Sequence, residues 1–261
     1  SARDEGADSD GASAETSAEP RWNELFSDEA RSLRQSEIRA LFAVVSRPEV
    51  VSLAGGMPNL SDLPLAAIAD ATQKLIESDG GRALQYGDGH GWNPLRDQIV
   101  EVMALEGIDA NRDFVQITTG SQQALQFMTD LFVNPGDVVL AESPSYVGAL
   151  GVFEARMAEV VHVPMDENGL IPEKLRETIH EVRATGRQIK FLYTIPNYSN
   201  PSGLTQSFER RRELLEVCER LGILVVEDNP YGLLGFDGEP EPALQTLDPD
   251  GVIYLGSFSK T

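Results

Sequence analysis

Apolar positions along this chain change their period more than once, and each change marks a different kind of structure. Residues 1–20 hold Ser, Ala, Gly, Asp and Glu but no large apolar side chain. Such a segment cannot bury enough surface to offset its ordering entropy, so it reads as a disordered acidic tail. From Trp22 the pattern turns helical: Leu25, Phe26, Ala30, Leu33, Ile38, Leu41 and Phe42 predict an N-terminal helix or helix pair running to about Val45. A short extended piece at 50–53 is broken by Gly55-Gly56-Met57-Pro58-Asn59. Helices follow at 64–78 and 94–106, separated by the glycine-rich run Leu84-Gln85-Tyr86-Gly87-Asp88-Gly89-His90-Gly91. That run is spaced GxGxG with no strand before it, which excludes a dinucleotide fingerprint.

Beyond residue 106 the chain alternates strand and helix. Strands are predicted at 115–118, 138–141, 160–163, 189–194, 223–227 and 252–255, with helices at 121–132, 146–155, 172–184 and 207–221. The strands are apolar on both faces, as in a parallel sheet covered by helices on each side. The fold class is therefore α/β, with a mostly parallel sheet flanked by helices and an N-terminal helical arm.

Charge narrows the partners. The 42 Asp and Glu outnumber the 21 Lys and Arg, leaving a formal charge of −21. Only Lys74, Lys174, Lys190 and Lys260 are lysines. No nucleic-acid or anionic-membrane partner is expected, because both demand clustered positive charge. A lysine-poor acidic surface suits high salt, where ions screen self-repulsion. The single cysteine, Cys218, falls in the apolar register of a helix and excludes a disulfide framework, in keeping with a cytoplasmic location. His90, His162 and His180 lie far apart without metal-ligand spacing, so no metal is expected.

In sheets of this kind ligands bind at the carboxyl ends of the strands, so those ends hold the candidate chemistry. After 115–118 comes Thr119-Gly120-Ser121-Gln122, where a helix N-terminus can bind phosphate, although a serine here also serves as a plain N-cap. After 138–141 comes Glu142-Ser143-Pro144-Ser145-Tyr146, whose tyrosine can stack on a flat ring or simply pack. After 189–194, Asn197 and Asn200 sit in a Pro/Gly turn. Asparagines there usually only shape the turn, though an Asn amide can also donate to a phenolate oxygen. After 223–227, Asp228 can keep a pyridine nitrogen protonated or cap a turn. After 252–255, Lys260 stands in Gly256-Ser257-Phe258-Ser259-Lys260-Thr261, either as a solvated loop lysine or as an amine for Schiff-base chemistry. A phosphate loop of the Walker type fails, because its lysine position holds Ser257.

In this order, the motifs TTGSQQAL (118–125), ESPSYVGAL (142–150), PNYSNPSG (196–203), EDNPYG (227–232) and GSFSKT (256–261) resemble the fold-type I pyridoxal-phosphate enzymes. With SLAGGMPN (52–59), LQYGDGHGWNPLR (84–96) and Ser36-Glu37-Ile38-Arg39, the chain is similar to class I/II aminotransferases of the 2-aminoadipate, kynurenine and multi-substrate branch. The resemblance implies that Lys260 carries pyridoxal 5'-phosphate and later shuttles a proton. It implies that Asp228 pairs with the pyridine nitrogen and that Tyr231 and Asn200 hold the phenolic oxygen. Tyr146 would stack on the ring, while Ser121, Gln122, Ser257 and Ser259 would bind phosphate. Gly56 would line the substrate pocket beside Asn200, and Tyr86 would reach the partner's site across a homodimer interface.

The expected activity is transamination between an α-amino acid and a 2-oxo acid, with 2-oxoglutarate and glutamate as one pair. A β-lyase, decarboxylase or synthase on the same fold is the alternative, and an aminotransferase-like regulatory sensor is the alternative of another class. Residues 1–45 show no basic recognition helix, which disfavours the sensor. The expected organisation is a tail (1–20), an N-terminal arm with helices (21–80) and a cofactor-binding large domain (81–261). The family's chains continue past the lysine with two arginines, a final sheet strand and a small domain, so the chain reads as an N-terminal fragment.

Overall fold

The structure, a computed structural model, describes residues 21–33, 47, 49–51, 63–236, 238 and 240–260. The expected tail, half of the 50–53 piece, Gly56 and the first helix beyond residue 33 lie outside these residues. What is described of the arm is a 3-10 turn at Arg21–Leu25 and a short helix α1 at Asp28–Ser32, capped by the Ser27 hydroxyl. Then come α2 (Leu65–Ala83), α3 (Asn93–Met103), α4 (Gly120–Phe132), α5 (Val147–Ala155), α6 (Pro172–Ala184) and α7 (Phe208–Leu221).

The strands are β1 (Val138–Ser143), β2 (Glu159–Asp166), β3 (Gly169–Leu170), β4 (Ile189–Thr194), β5 (Leu224–Asn229) and β6 (Val252–Gly256). They form one sheet in the order β3-β2-β1-β4-β5-β6. Every pairing is parallel except the β2–β3 hairpin. That hairpin was not anticipated. Its turn is marked by Asp166, whose side chain accepts from the Asn168 amide, and by Gly169 at φ +98°.

One predicted strand does not form. Residues 115–118 run without a sheet partner among the described residues and are tied instead to the glycine-rich run, Ile117 N–H to His90 O and Gln116 Nε2 to Gly89 O. A cavity of about 730 Å³, lined by Val115, Ile117, Tyr254 and Ser257 among others, separates them from the outer edge of β6. The apolar pattern was strand-like, but a strand needs a neighbour within hydrogen-bonding distance. Gly91 explains the close local packing: at φ +100° it leaves no room for a Cβ beside the Ile117 side chain.

Strand alternation assigns the two cores. Val138, Leu140, Leu192, Val225 and Val252 face α6 and α7, against Leu175, Ile179, Val182, Leu214 and Cys218. Val139, Ala141, Phe191, Tyr193 and Val226 face α4 and α5, against Leu125, Met128, Val152 and Phe153. Phe153 packs edge-on against both Phe191 and Tyr193. Cys218 is buried as expected, and desolvation pushes its thiol up to about 12. Strand order reverses between β1 and β4, so the crevice for a ligand lies outside their carboxyl ends.

Candidate active site

The candidate residues after position 106 lie at or after the carboxyl ends of the strands and at the start of α4. Tyr146 follows β1, Asn200 follows β4, Asp228 and Tyr231 stand at the end of β5 and just beyond it, and Ser257, Ser259 and Lys260 follow β6. Asp228 is the penultimate residue of β5, opposite Leu255 of β6. It is almost fully buried and caps no turn: among the described residues its one hydrogen bond comes from Tyr193 O–H to Oδ2, at 2.6 Å. Its other oxygen accepts nothing there and is not among the enclosed, unpartnered atoms, so it keeps some exposure. Burial pushes the Asp228 carboxyl up to about 6 while the Tyr193 hydrogen bond pulls it down. Tyr146, at the N-cap of α5, and Tyr231, just after β5, lie close enough to be felt electrostatically. Burial first, then Asp228 and Tyr231, raise the Tyr146 hydroxyl above its usual range. The Tyr146 ring lies over Gly148, where a Cβ would collide with it.

The phosphate candidates divide. Ser121, Ser257 and Ser259 line one cavity, with Thr118, Gly120 and Gly256. Ser121 is not the N-cap. Thr119 holds that place, and Gln123 reaches back to its amide, while the Gly120 amide donates to Thr118 O at 2.9 Å, leaving the Ser121 hydroxyl without a partner among the described residues. Ser257 donates to Ser259 Oγ at 2.8 Å and accepts from the Ser259 amide, forming a tight turn. Gln122 points elsewhere, donating to Gly148 O at 3.3 Å. Lys260 follows the serine turn, exposed and without an ion pair among the described residues. Asn200 sits half-buried before a cis proline, its side-chain amide unpaired among the same residues. Tyr86 is fully exposed and meets no part of this site in its own chain.

Beneath these groups lies a buried polar network that the motifs did not announce. Glu142, fully buried at the end of β1, accepts from Thr194 Oγ1 (2.5 Å), Ile195 N–H (3.1 Å), Ser199 Oγ (2.9 Å) and Gln206 Nε2 (3.2 Å). It thereby holds both ends of the loop that carries Asn200. Burial pushes it up to about 7, against the pull of those four donors. Arg211, also fully buried, donates to Gln206 O, Pro242 O and Asn197 Oδ1. Asn197 then donates to Asn229, and Asn229 to Glu106, which also accepts from Tyr254 O–H. The signal available in sequence was an acid or arginine inside an apolar pattern, at Glu142 and Arg211.

Residues 48–261 match the family described as aminotransferase class I and II. The chain belongs to that family. Within the aminotransferases it is 39% identical over 241 residues to aromatic-amino-acid aminotransferase 1 of Thermococcus litoralis, covering 92% of this chain and 58% of that protein. Among solved structures, it resembles a Pyrococcus horikoshii kynurenine aminotransferase in complex with PMP, at 39% identity and TM-score 0.85. That match covers 92% of this chain and 60% of the other. It also resembles LysN, the α-aminoadipate aminotransferase of Thermus thermophilus, complexed with N-(5'-phosphopyridoxyl)-L-leucine. There the identity is 35% and the TM-score 0.80, over 92% of this chain and 59% of LysN. The chain thus spans about three-fifths of the length of these aminotransferases. Among the described residues no group of His, Cys, Asp or Glu could hold a metal, and no helix is long and apolar enough to cross a membrane.

The donor set fits pyridoxal 5'-phosphate. A ring nitrogen that must stay protonated needs a carboxylate, and Asp228 keeps one oxygen free for it. A phenolic oxygen needs donors, and the Tyr231 hydroxyl and Asn200 amide are unengaged among the described residues. A phosphate needs amides and hydroxyls, which the start of α4 and the serine turn offer.

Proposed function

We propose that this chain is the cofactor-binding part of a pyridoxal-phosphate-dependent aminotransferase, acting between an α-amino acid and a 2-oxo acid. 2-Oxoglutarate and glutamate form one substrate pair in this reading. The observation that carries it is Asp228: a buried carboxylate at a strand end, held through one oxygen by Tyr193 and with some exposure at the other. Bound cofactor supplies an electron sink, a protonated pyridine ring conjugated to the substrate. The chain's own groups do the rest. Asp228 keeps the ring nitrogen protonated, while Tyr231 and Asn200 donate to the phenolic oxygen. Ser121, Gln122, Ser257 and Ser259 bind phosphate, with Gln122 first releasing Gly148 O. Tyr146 stacks on the ring. Lys260 Nζ would hold the cofactor and would take up and return the proton of the substrate's α-carbon.

Gly56 and Asn200 line the substrate pocket, and Tyr86 reaches the second subunit of a homodimer. The dimer is supported by exposed apolar surface: Tyr86 at 100%, Phe114 at 89%, Leu131 at 73% and a helix α2 with no buried residue. The parts are an arm at 21–80 and a large domain at 81–261, after an acidic tail at 1–20. A cytoplasmic location accords with the single, buried Cys218, and an acidic, high-salt habitat with the charge of −21.

The test is a coupled assay of the purified protein with glutamate and a panel of 2-oxo acids, after adding pyridoxal phosphate and measuring its visible absorbance. Cofactor capture with amino transfer supports the reading. Capture with carbon dioxide release or β-elimination instead would move it to a decarboxylase or lyase, and no capture at all would overturn it.

A further inference from the structure

Resting on that reading of the site, we propose that Tyr193 is a positioning residue that sets both the orientation and the charge of Asp228 toward the cofactor's ring nitrogen. The placement follows from strand register. Tyr193 pairs with Val226 across β4 and β5, and Asp228 lies two residues further along the same face. The long phenol spans that diagonal and delivers its proton to Oδ2 at 2.6 Å. The ring is wholly buried and pinned edge-on by Phe153, with centroids 5.4 Å apart, so the hydroxyl has one direction to donate.

The chemistry is one-sided. Desolvation, together with the nearby Asp228 charge, keeps the Tyr193 hydroxyl protonated well beyond its ordinary range, so it retains the proton it donates to Asp228. A donor on Oδ2 favours the ionised carboxylate, which burial alone would disfavour. It also fixes the carboxyl plane, so Oδ1 presents its lone pairs in a single direction. Without the donor, a buried Asp228 would both turn and retain its proton to a higher pH, and a neutral carboxyl cannot hold a pyridinium. The other ionisable groups facing this pair are Tyr146 and Tyr231 beside Asp228, and Glu142, which Tyr193 feels from β1. None of these donates to Asp228, and burial pushes the Glu142 carboxyl up to about 7.

The test uses the full chain with aspartate carboxyls labelled in ¹³C, the Asp228 resonance being assigned by its loss in Asp228→Asn. In the cofactor-free protein, Tyr193→Phe should raise the Asp228 titration midpoint by roughly one to two pH units, the range for a lost hydrogen bond to a charged group. The acid limb of pyridoxal phosphate capture should rise by the same amount, with near wild-type affinity recovered on the alkaline side. Should the Phe variant fail to fold, 3-fluorotyrosine at position 193 keeps ring and hydroxyl but donates more strongly, so the midpoint should fall. An unmoved Asp228 midpoint in the substituted protein would overturn the proposal. If the midpoint moves while wild type captures no pyridoxal phosphate, the Tyr193–Asp228 coupling stands, but its role toward a cofactor and the aminotransferase reading fall together.

Discussion

Glu142→Ala should cost more stability than its single side chain suggests. In the native protein Glu142 satisfies four donors inside a buried strand end: Thr194, Ile195, Ser199 and Gln206. After truncation the two hydroxyls can rotate, and Gln206 Nε2 keeps its bond to Thr194 Oγ1 at 3.0 Å. The Ile195 amide is fixed and left bare. Stranded buried donors cost about 1–3 kcal/mol each, so with the cavity the loss should be ~3–5 kcal/mol. Glu142→Gln keeps the accepting oxygen and should lose only about 1 kcal/mol. The same pair tests the charge. Below 4.5 the carboxyl is neutral whether folded or unfolded. Between 4.5 and about 7 the folded protein keeps a proton that the unfolded chain has lost, so this group's contribution to stability falls as pH rises. That span is roughly 2.5 pH units, at ~1.4 kcal/mol each about 3 kcal/mol. Urea unfolding of wild type and the Gln variant should therefore show the wild-type lead of about 1 kcal/mol at pH 5 turning into a deficit of about 1–2 kcal/mol at pH 8. A constant difference across that range would refute the reasoning, as would an Ala variant no weaker than Gln.

Lys260→Ala should abolish the visible absorbance that the wild type gains with pyridoxal phosphate, and an unchanged spectrum would remove Lys260 from the site. Asp228→Asn should still capture cofactor but turn over more slowly by orders of magnitude, because losing several pKa units of support for the ring nitrogen costs ~1.4 kcal/mol for each. Full activity in that variant would leave Asp228 a structural role only. Melting temperature should rise with KCl, since at ~1 M salt screening acts over about 3 Å and suppresses the repulsion of a −21 charge. A flat or falling trend would dismiss the high-salt reading.

Periodicity made most of the fold legible. It marked out α6 at its observed residues, 172–184, and placed five of the six strands within a few residues, because buried parallel strands and amphipathic helices differ plainly in pattern. It went wrong at 115–118, where the strand-like residues are apolar because they wall a cavity and pack on Gly91. It also missed β3, two residues long and too short to show a period. The strand-end residues were legible as motifs, but their local alternatives needed coordinates. Only the structure shows that Ser121 is not the cap of its helix and that Asp228 caps nothing.

The network around Glu142 and Arg211 was illegible for a different reason. Its members come from β1, β4, β5, β6, α7 and the segment after α3, and no local pattern relates them. Alternation explains how it coexists with the site. At the end of β5 the chain reads Glu227-Asp228-Asn229, three polar residues in succession inside a buried sheet. Asp228 turns toward α4 and α5 with Tyr193. Glu227 turns the opposite way, accepts the Leu244 and Gln245 amides and is pushed up to about 7 by its burial. Asn229 joins Asn197 to Glu106. One face of the strand end therefore presents a carboxylate to the crevice, and the other is spent on hydrogen bonds that fix the strand's height and twist. An apolar pair in place of Glu227 and Asn229 would pack, but the strand end would then be held only by its backbone ladders to β4 and β6, without the side-chain anchors to Leu244, Gln245, Asn197 and Glu106. The direction of Asp228 Oδ1, on which the proposed chemistry turns, depends on that hold.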